Sequence, residues 1–165
     1  MNTADRFAWT RRRGLGALAL LGLGAGWSAP LAAAGKKTLP LSSSLPDELR
    51  RALKVRQPLV VMVSLHRCPW CEEVRNNYLA PMWAEQGLHV VQLDMLSPKA
   101  TRDLQGQAST HDTVVRAWDV KVAPTVLFLG RDGKEVADRL VGGSPDFYSA
   151  YLDRRLERAR EAVFA

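Results

Sequence analysis

The sequence predicts an α/β domain with a central mixed β-sheet flanked by helices. Two observations carry that expectation. Leu59–Leu65, Leu88–Leu93 and Thr125–Leu129 are continuous β-rich apolar runs, the pattern of strands buried on both faces of a sheet. The segments before, between and after them repeat their apolar residues at helical spacing, so the order is helix, strand, helix, strand, helix, strand, strand, helix.

The elements follow in turn. Residues 35–46 are polar and loop-like, and Lys37–Leu41 can add a short edge strand. From Asp47, Leu49, Leu53 and Val55 recur at near-helical spacing; Ser44 or Asp47 can cap this first helix, which ends before Pro58. After the first buried strand, a helix runs from Cys68 to around Ala84, with Val74, Tyr78, Leu79 and Met82 as its apolar stripe. Pro81 predicts a kink or break in it. The second strand follows Gly87. Ser97–Ser109 is polar and without a period, and Thr110 or Asp112 starts a short helix through Trp118. The third strand leads to the turn Arg131-Asp132-Gly133-Lys134, where Asp-Gly is a hairpin signal, and Glu135–Val141 is its antiparallel partner. A last helix spans Pro145 to around Val163, with Phe147, Tyr148, Tyr151, Leu152, Leu156, Ala159 and Val163 along one side. Trp83 and Trp118 fall on helical stripes and are expected to pack in the core or at its edge.

With 165 residues, 47% of them hydrophobic, the chain can bury one core, which places a single globular domain over residues 47–165. The first 34 residues differ from the rest. Basic Arg11-Arg12-Arg13, an apolar stretch from Leu15 to Trp27 and Ala32-Ala33-Ala34 read together as a cleavable secretory signal, which makes the mature protein periplasmic or otherwise exported. The apolar stretch falls short of the ~20 residues of a spanning helix and is broken by glycines, so no stable membrane association is expected after cleavage. Four arginines and one aspartate of the signal belong to the formal charge of +6, leaving +3 beyond residue 34. A charge so small and so interspersed with acids argues against a nucleic-acid partner; Arg154, Arg155, Arg158 and Arg160 alternate with Asp153, Glu157 and Glu161 as a solvated helix face.

The chemistry concentrates in His66-Arg67-Cys68-Pro69-Trp70-Cys71-Glu72-Glu73, which holds the chain's two cysteines. Export permits a disulfide, but a bridge across two intervening residues closes a very small loop and stabilises little. Cys68 falls between a buried strand and a helix, with Pro69 at the first helical position. The unpaired N–H groups and dipole of a helix N-terminus favour a thiolate, the attacking species in disulfide exchange. Cys71, one turn later, is expected to be more buried. Cys68 is therefore the candidate nucleophile and Cys71 the resolving thiol. His66 and Arg67 would favour the Cys68 thiolate, whereas Glu72 and Glu73 would oppose it through space.

Together with Val120–Leu129 and Asp132-Gly133-Lys134 downstream, the Cys68-Pro69-Trp70-Cys71 motif resembles the thioredoxin-like family over residues 47–163. The resemblance implies a thioredoxin-like fold and a protein-disulfide oxidoreductase without a bound cofactor. Its partners would be cysteine-containing protein substrates and a redox partner protein. It also implies that Pro124 is the cis-proline, after Ala123, beside the Cys-x-x-Cys turn, where it positions a substrate strand; a cis bond is uncommon enough to be a sharp test. The chain departs from thioredoxins proper by carrying Met62 in place of the buried acid six residues before the first cysteine, and Arg67 in place of tryptophan. Glu72, Glu73 or a water would then have to accept the Cys71 proton.

Other readings use the same residues. A closed zinc site needs four ligands, and His66, His89 and His111 are scattered over separate elements, so no metal site is expected and His89 and His111 read as structural. Haem attachment fails because Glu72 stands where histidine is required. Copper(I) handling by the two thiols remains open. So does a noncatalytic binding module using Pro124 and Trp70. With no second domain for dimerisation visible, a monomer is the default.

Overall fold

In the computed structural model, which describes residues 38–143 and 146–164, the described part begins with an extended strap followed by the helix α1 (Leu45–Lys54). The signal assigned to residues 1–34 and the helix start assigned to Pro145 lie outside the described residues. Among the described residues no helix is long and apolar enough to cross a membrane.

β1 (Leu59–Ser64) is buried along its whole length and lies at the centre of the sheet, as its unbroken apolar run requires. It pairs in parallel with β2 (Val90–Asp94) and antiparallel with the later strand Thr125–Leu129. Outside β2, the strap makes one parallel bridge at Leu41: Ser42 N–H donates to the Gln92 carbonyl at 2.9 Å and Gln92 N–H to Pro40 at 2.8 Å. The expected edge strand is thus a single bridge.

α2 (Pro69–Val74) and α3 (Ala80–Gln86) join through a π turn, Arg75–Leu79, in which Ala80 N–H reaches back to the Arg75 carbonyl. The break expected at Pro81 does not occur. The widened turn comes just before it, and Pro81 then sits in the first turn of α3, where a missing donor is tolerated.

Ser97–Ser109, without period in the sequence, contains a hairpin of two three-residue strands, β3 (Ala100–Arg102) and β4 (Ala108–Thr110). Asp103 Oδ1 builds its turn by accepting from Gln105 N–H at 3.0 Å and Gln107 N–H at 2.8 Å, and Gly106 supplies a positive φ of 80°. Thr110 caps α4 (His111–Ala117) by accepting the Thr113 N–H at 3.2 Å.

β5 (Thr125–Leu129) and β6 (Glu135–Val141) match the sequence expectation residue for residue, giving a mixed sheet of order β2-β1-β5-β6. Asp132 and Gly133 both take positive φ in the turn between them, as an Asp-Gly hairpin demands. α5 (Tyr148–Phe164) closes the chain. Its stripe is narrower than expected: Tyr148, Leu152, Leu156, Ala159 and Val163 are buried, but Tyr151 is exposed and Phe147, 75% exposed, precedes the helix with φ of 63°. Trp83 likewise stands 42% exposed rather than in the core, while Trp118 packs against the core edge.

Strand alternation divides the core between the two faces of the sheet. Val60, Met62, Val90, Val126 and Phe128 pack under α2, α3 and α5 with Cys71 and Leu152; Leu59, Val61, Val63, Leu93 and Leu127 pack against α1 and α4. On the second face His111 is fully buried. Its Nδ1 accepts the Asp94 N–H at 3.1 Å, so its Nε2–H donates to the Ser42 carbonyl at 2.8 Å, the structural role expected of it.

Candidate functional site

The site begins where β1 runs out. After Ser64 the chain turns through Leu65, His66 and Arg67, with Arg67 in the left-handed region at φ 57°, and Cys68 becomes the N-cap of α2 in extended conformation. Pro69 occupies N1 and leaves no donor to satisfy. The Cys71 N–H donates to Cys68 Sγ at 3.1 Å, and the Glu72 N–H donates to the Cys68 carbonyl at 3.0 Å. The helix start thus aims one backbone donor, the Cys71 N–H, at the outer sulfur and a second, the Glu72 N–H, at the carbonyl of the same residue.

Cys68 and Cys71 form a disulfide with Cα atoms 5.2 Å apart. Cys71 is fully buried among Met62, Val74 and their neighbours, whereas Cys68 is half-buried. A half-buried outer sulfur and a fully buried inner one give the pair unequal access, as the sequence led us to expect.

Across from the turn, the Ala123-Pro124 peptide bond is cis. It brings the Ala123 carbonyl oxygen within 3.8 Å of Cys68 Sγ. Thr125 Oγ1 donates to the Val122 carbonyl at 2.7 Å, and Gly142 N–H donates to the Pro124 carbonyl at 2.8 Å, so this loop is held from both ends. Trp70 lies between the two cysteines and is 50% exposed, with Val122 exposed on the facing loop. A third segment, which the sequence did not single out, completes the site. A Cβ on Gly143 would lie 3.1 Å from Trp70 Cβ and 3.4 Å from Pro124 Cγ, so any side chain here would crowd both neighbours. The Gly142-Gly143 doublet was its one sequence signal.

The expected modulators divide between two places. His66 and Arg67 are exposed, and with the half-buried Glu72 they line a groove of about 700 Å³ between the Cys68 turn, the strap and the turn after β2. Glu73 points elsewhere: it is exposed and accepts from Asn77 Nδ2 at 2.6 Å on its own helix. Met62 is buried against Cys71, so the position six before Cys68 supplies no proton acceptor. Among the described residues no group of three or more His, Cys, Asp or Glu side chains converges to hold a metal ion. A sulfur pair of this form can open and close reversibly, because the outer sulfur accepts attack while its neighbour remains one helical turn away.

Residues 45–155 match the thioredoxin-like domain family. A solved structure described as a DsbH oxidoreductase superposes with a TM-score of 0.51 at 17% identity, covering 76% of this chain and 88% of that one. The thioredoxin of Fasciola hepatica gives 0.46 at 18% identity, covering 71% and 99%, and thioredoxin O2 of Arabidopsis thaliana gives 0.47 at 13%, covering 69% and 93%. Comparison with curated proteins finds no match. With its four-stranded mixed sheet, its Cys68–Cys71 disulfide at the start of α2 and a family match over most of its length, the chain belongs to the thioredoxin-like domain family.

Proposed function

We propose that this chain is an exported protein-disulfide oxidoreductase, with Cys68 as nucleophile and Cys71 as resolving thiol. The observation that carries this reading is the unequal pair itself: a half-buried sulfur at a helix N-terminus, bonded to a fully buried one and faced by the cis-Pro124 loop. A noncatalytic module would have no use for a pair so disposed.

In the reducing direction the Cys68 thiolate attacks one sulfur of a client disulfide. A Cys68–client bond forms, the client S–S bond breaks, and the displaced client thiolate takes up a proton. Cys71 then loses its proton and attacks Cys68 Sγ, closing the Cys68–Cys71 bond and releasing the second client thiolate. The client gains two electrons and the dithiol loses two. In the oxidising direction a client thiolate attacks the closed pair and the same bonds exchange in reverse. Ala123, Pro124 and Trp70 position the client backbone beside Cys68. Glu72, next in the chain to Cys71, or a water takes the place of the missing acid, since Glu73 is turned to Asn77 on its own helix. The protein works as a monomer on cysteine-containing proteins, recharged by a separate redox protein, after removal of residues 1–34.

Cys71→Ser leaves a Cys68 thiol with nothing to release its partner. Expressed in a cell that exports the chain, this variant accumulates mixed disulfides through Cys68, sensitive to reductant and absent in the Cys68→Ser/Cys71→Ser double variant. Recovery of no thiol-linked protein, together with failure of the intact protein to exchange with a small disulfide, overturns the reading.

A further inference from the structure

The α2 face of the sheet changes character toward the strand ends. Along β1, Val60 and Met62 pack in the core and Ser64 follows on the same face; along β2, Val90 is succeeded by Gln92 and Asp94. Ser64 is only 2% exposed and lines the groove. Gln92 donates to Asp94 Oδ1 at 2.6 Å and accepts from Arg75 Nη1 at 3.3 Å. This polar floor lies beneath a rim on which Leu65 and Leu96 are exposed, Leu96 held outward on a left-handed backbone at φ 61°.

The charges around the floor are unequally engaged. Asp94 is held by Gln92, and Glu72 is itself engaged. Arg67 and Arg75 both line the groove, and neither forms an ion pair with a described residue. A volume of about 700 Å³ with apolar rim residues and a few convergent polar groups fits a short stretch of peptide. Arg67 adjoins Cys68, so whatever fills the groove is continuous with the site of exchange.

We propose that this groove is a specificity site for the client polypeptide. It takes an apolar side chain against Leu65 and Leu96, and an acidic one onto Arg67 and Arg75, from residues neighbouring the attacked cysteine. The proposal rests on the reading of Cys68 as nucleophile and adds to it a second, charge-selective contact on the side away from Pro124.

The test uses the reduced full-length protein and symmetrical disulfide dimers of one short peptide, in which the cysteine is flanked by Leu-Glu, Leu-Gln or Leu-Lys. Released thiol is counted at several peptide concentrations. In this single turnover, which oxidises one protein dithiol per peptide disulfide opened, the Leu-Glu peptide is expected to exceed Leu-Gln by about threefold to tenfold in second-order rate constant, through tighter binding, the scale of one partly exposed charge-assisted contact. Leu-Lys should be the poorest. Arg75→Gln should lower the preference, and Arg67→Gln/Arg75→Gln should abolish it. A cysteine-free Leu-Glu peptide should compete. Equal rates for all three peptides, or a preference that survives the double variant, overturn the groove assignment and leave the dithiol chemistry standing. Release of thiol from none of them removes the underlying reading instead.

Discussion

Cys68 Sγ accepts the backbone N–H of Cys71 at 3.1 Å, so the outer sulfur caps the helix that carries the inner one. The bond links reactivity to local folding: a thiolate on Cys68 satisfies a helix-end donor that no other side chain meets.

In the reduced protein, iodoacetamide should therefore label Cys68 about tenfold or more faster than Cys71, since thiolate character and access both favour it. Peptide mapping by mass spectrometry after brief alkylation measures the ratio. Faster labelling of the fully buried Cys71 would reverse the roles assigned to the two sulfurs.

Gly143 sets the next expectation. A Cβ there meets Trp70 Cβ at 3.1 Å and Pro124 Cγ at 3.4 Å, and both neighbours flank the dithiol. Gly143→Val should push the facing loops apart and lower kcat/KM for a protein disulfide by about tenfold, because small displacements of positioning groups are costly. The rate with a small, flexible disulfide should fall much less. Equal losses on both would place the damage in the sulfur pair rather than in client positioning.

The contrast between Pro124 and Gly143 separates what the sequence discloses from what it hides. β5 and β6 were legible to the residue because one is buried throughout and the other is tied to it by an Asp-Gly turn. Cys68 and Cys71 stood out through residue type and spacing, whereas Pro124 was singled out only by the family resemblance. Gly143 acts by close approach to residues distant in the chain, and a bare backbone leaves little local trace. The β3–β4 hairpin is hidden for another reason: its strands are three residues long and carry no apolar period. Phe147 and Tyr151 extended the apparent stripe of α5 past the arc the sheet can cover, so periodicity overstated its buried face.

Glu48 fastens the strap that forms one wall of the groove. Buried in α1, its carboxylate accepts from Ser42 Oγ at 2.6 Å, Ser43 N–H at 2.8 Å and Ser44 N–H at 3.2 Å. Ser42 in turn binds β2 and His111 through its backbone. Glu48→Ala should lower stability by about 2–3 kcal/mol, since it strands several donors at once. Urea unfolding of the oxidised protein measures the loss. A change within about 0.5 kcal/mol would mean that the strap is held by its bridge to Gln92 instead.

Tyr148 gives an expectation of the opposite sign. Its ring is buried on α5, 5.1 Å from the Tyr78 ring, and its hydroxyl has no hydrogen-bond partner among the described residues. Removing that oxygen by Tyr148→Phe keeps the packing and discards an unsatisfied polar group, so stability near neutral pH should rise by about 1 kcal/mol. Burial, and secondarily Tyr78, pushes the phenol pKa well above its ordinary value of 10.0. Above that ordinary value the unfolded chain releases a phenolic proton that the folded chain retains. Proton release then favours unfolding, and wild-type stability falls as pH rises through this window. The Phe variant lacks this contribution, so its advantage should widen between pH of about 8 and about 10.5, read by paired urea titrations. An advantage that stayed constant would mean that Tyr148 ionises as readily in the folded chain as in the unfolded one, and a variant less stable than wild type would mean that its hydroxyl is satisfied by a buried water.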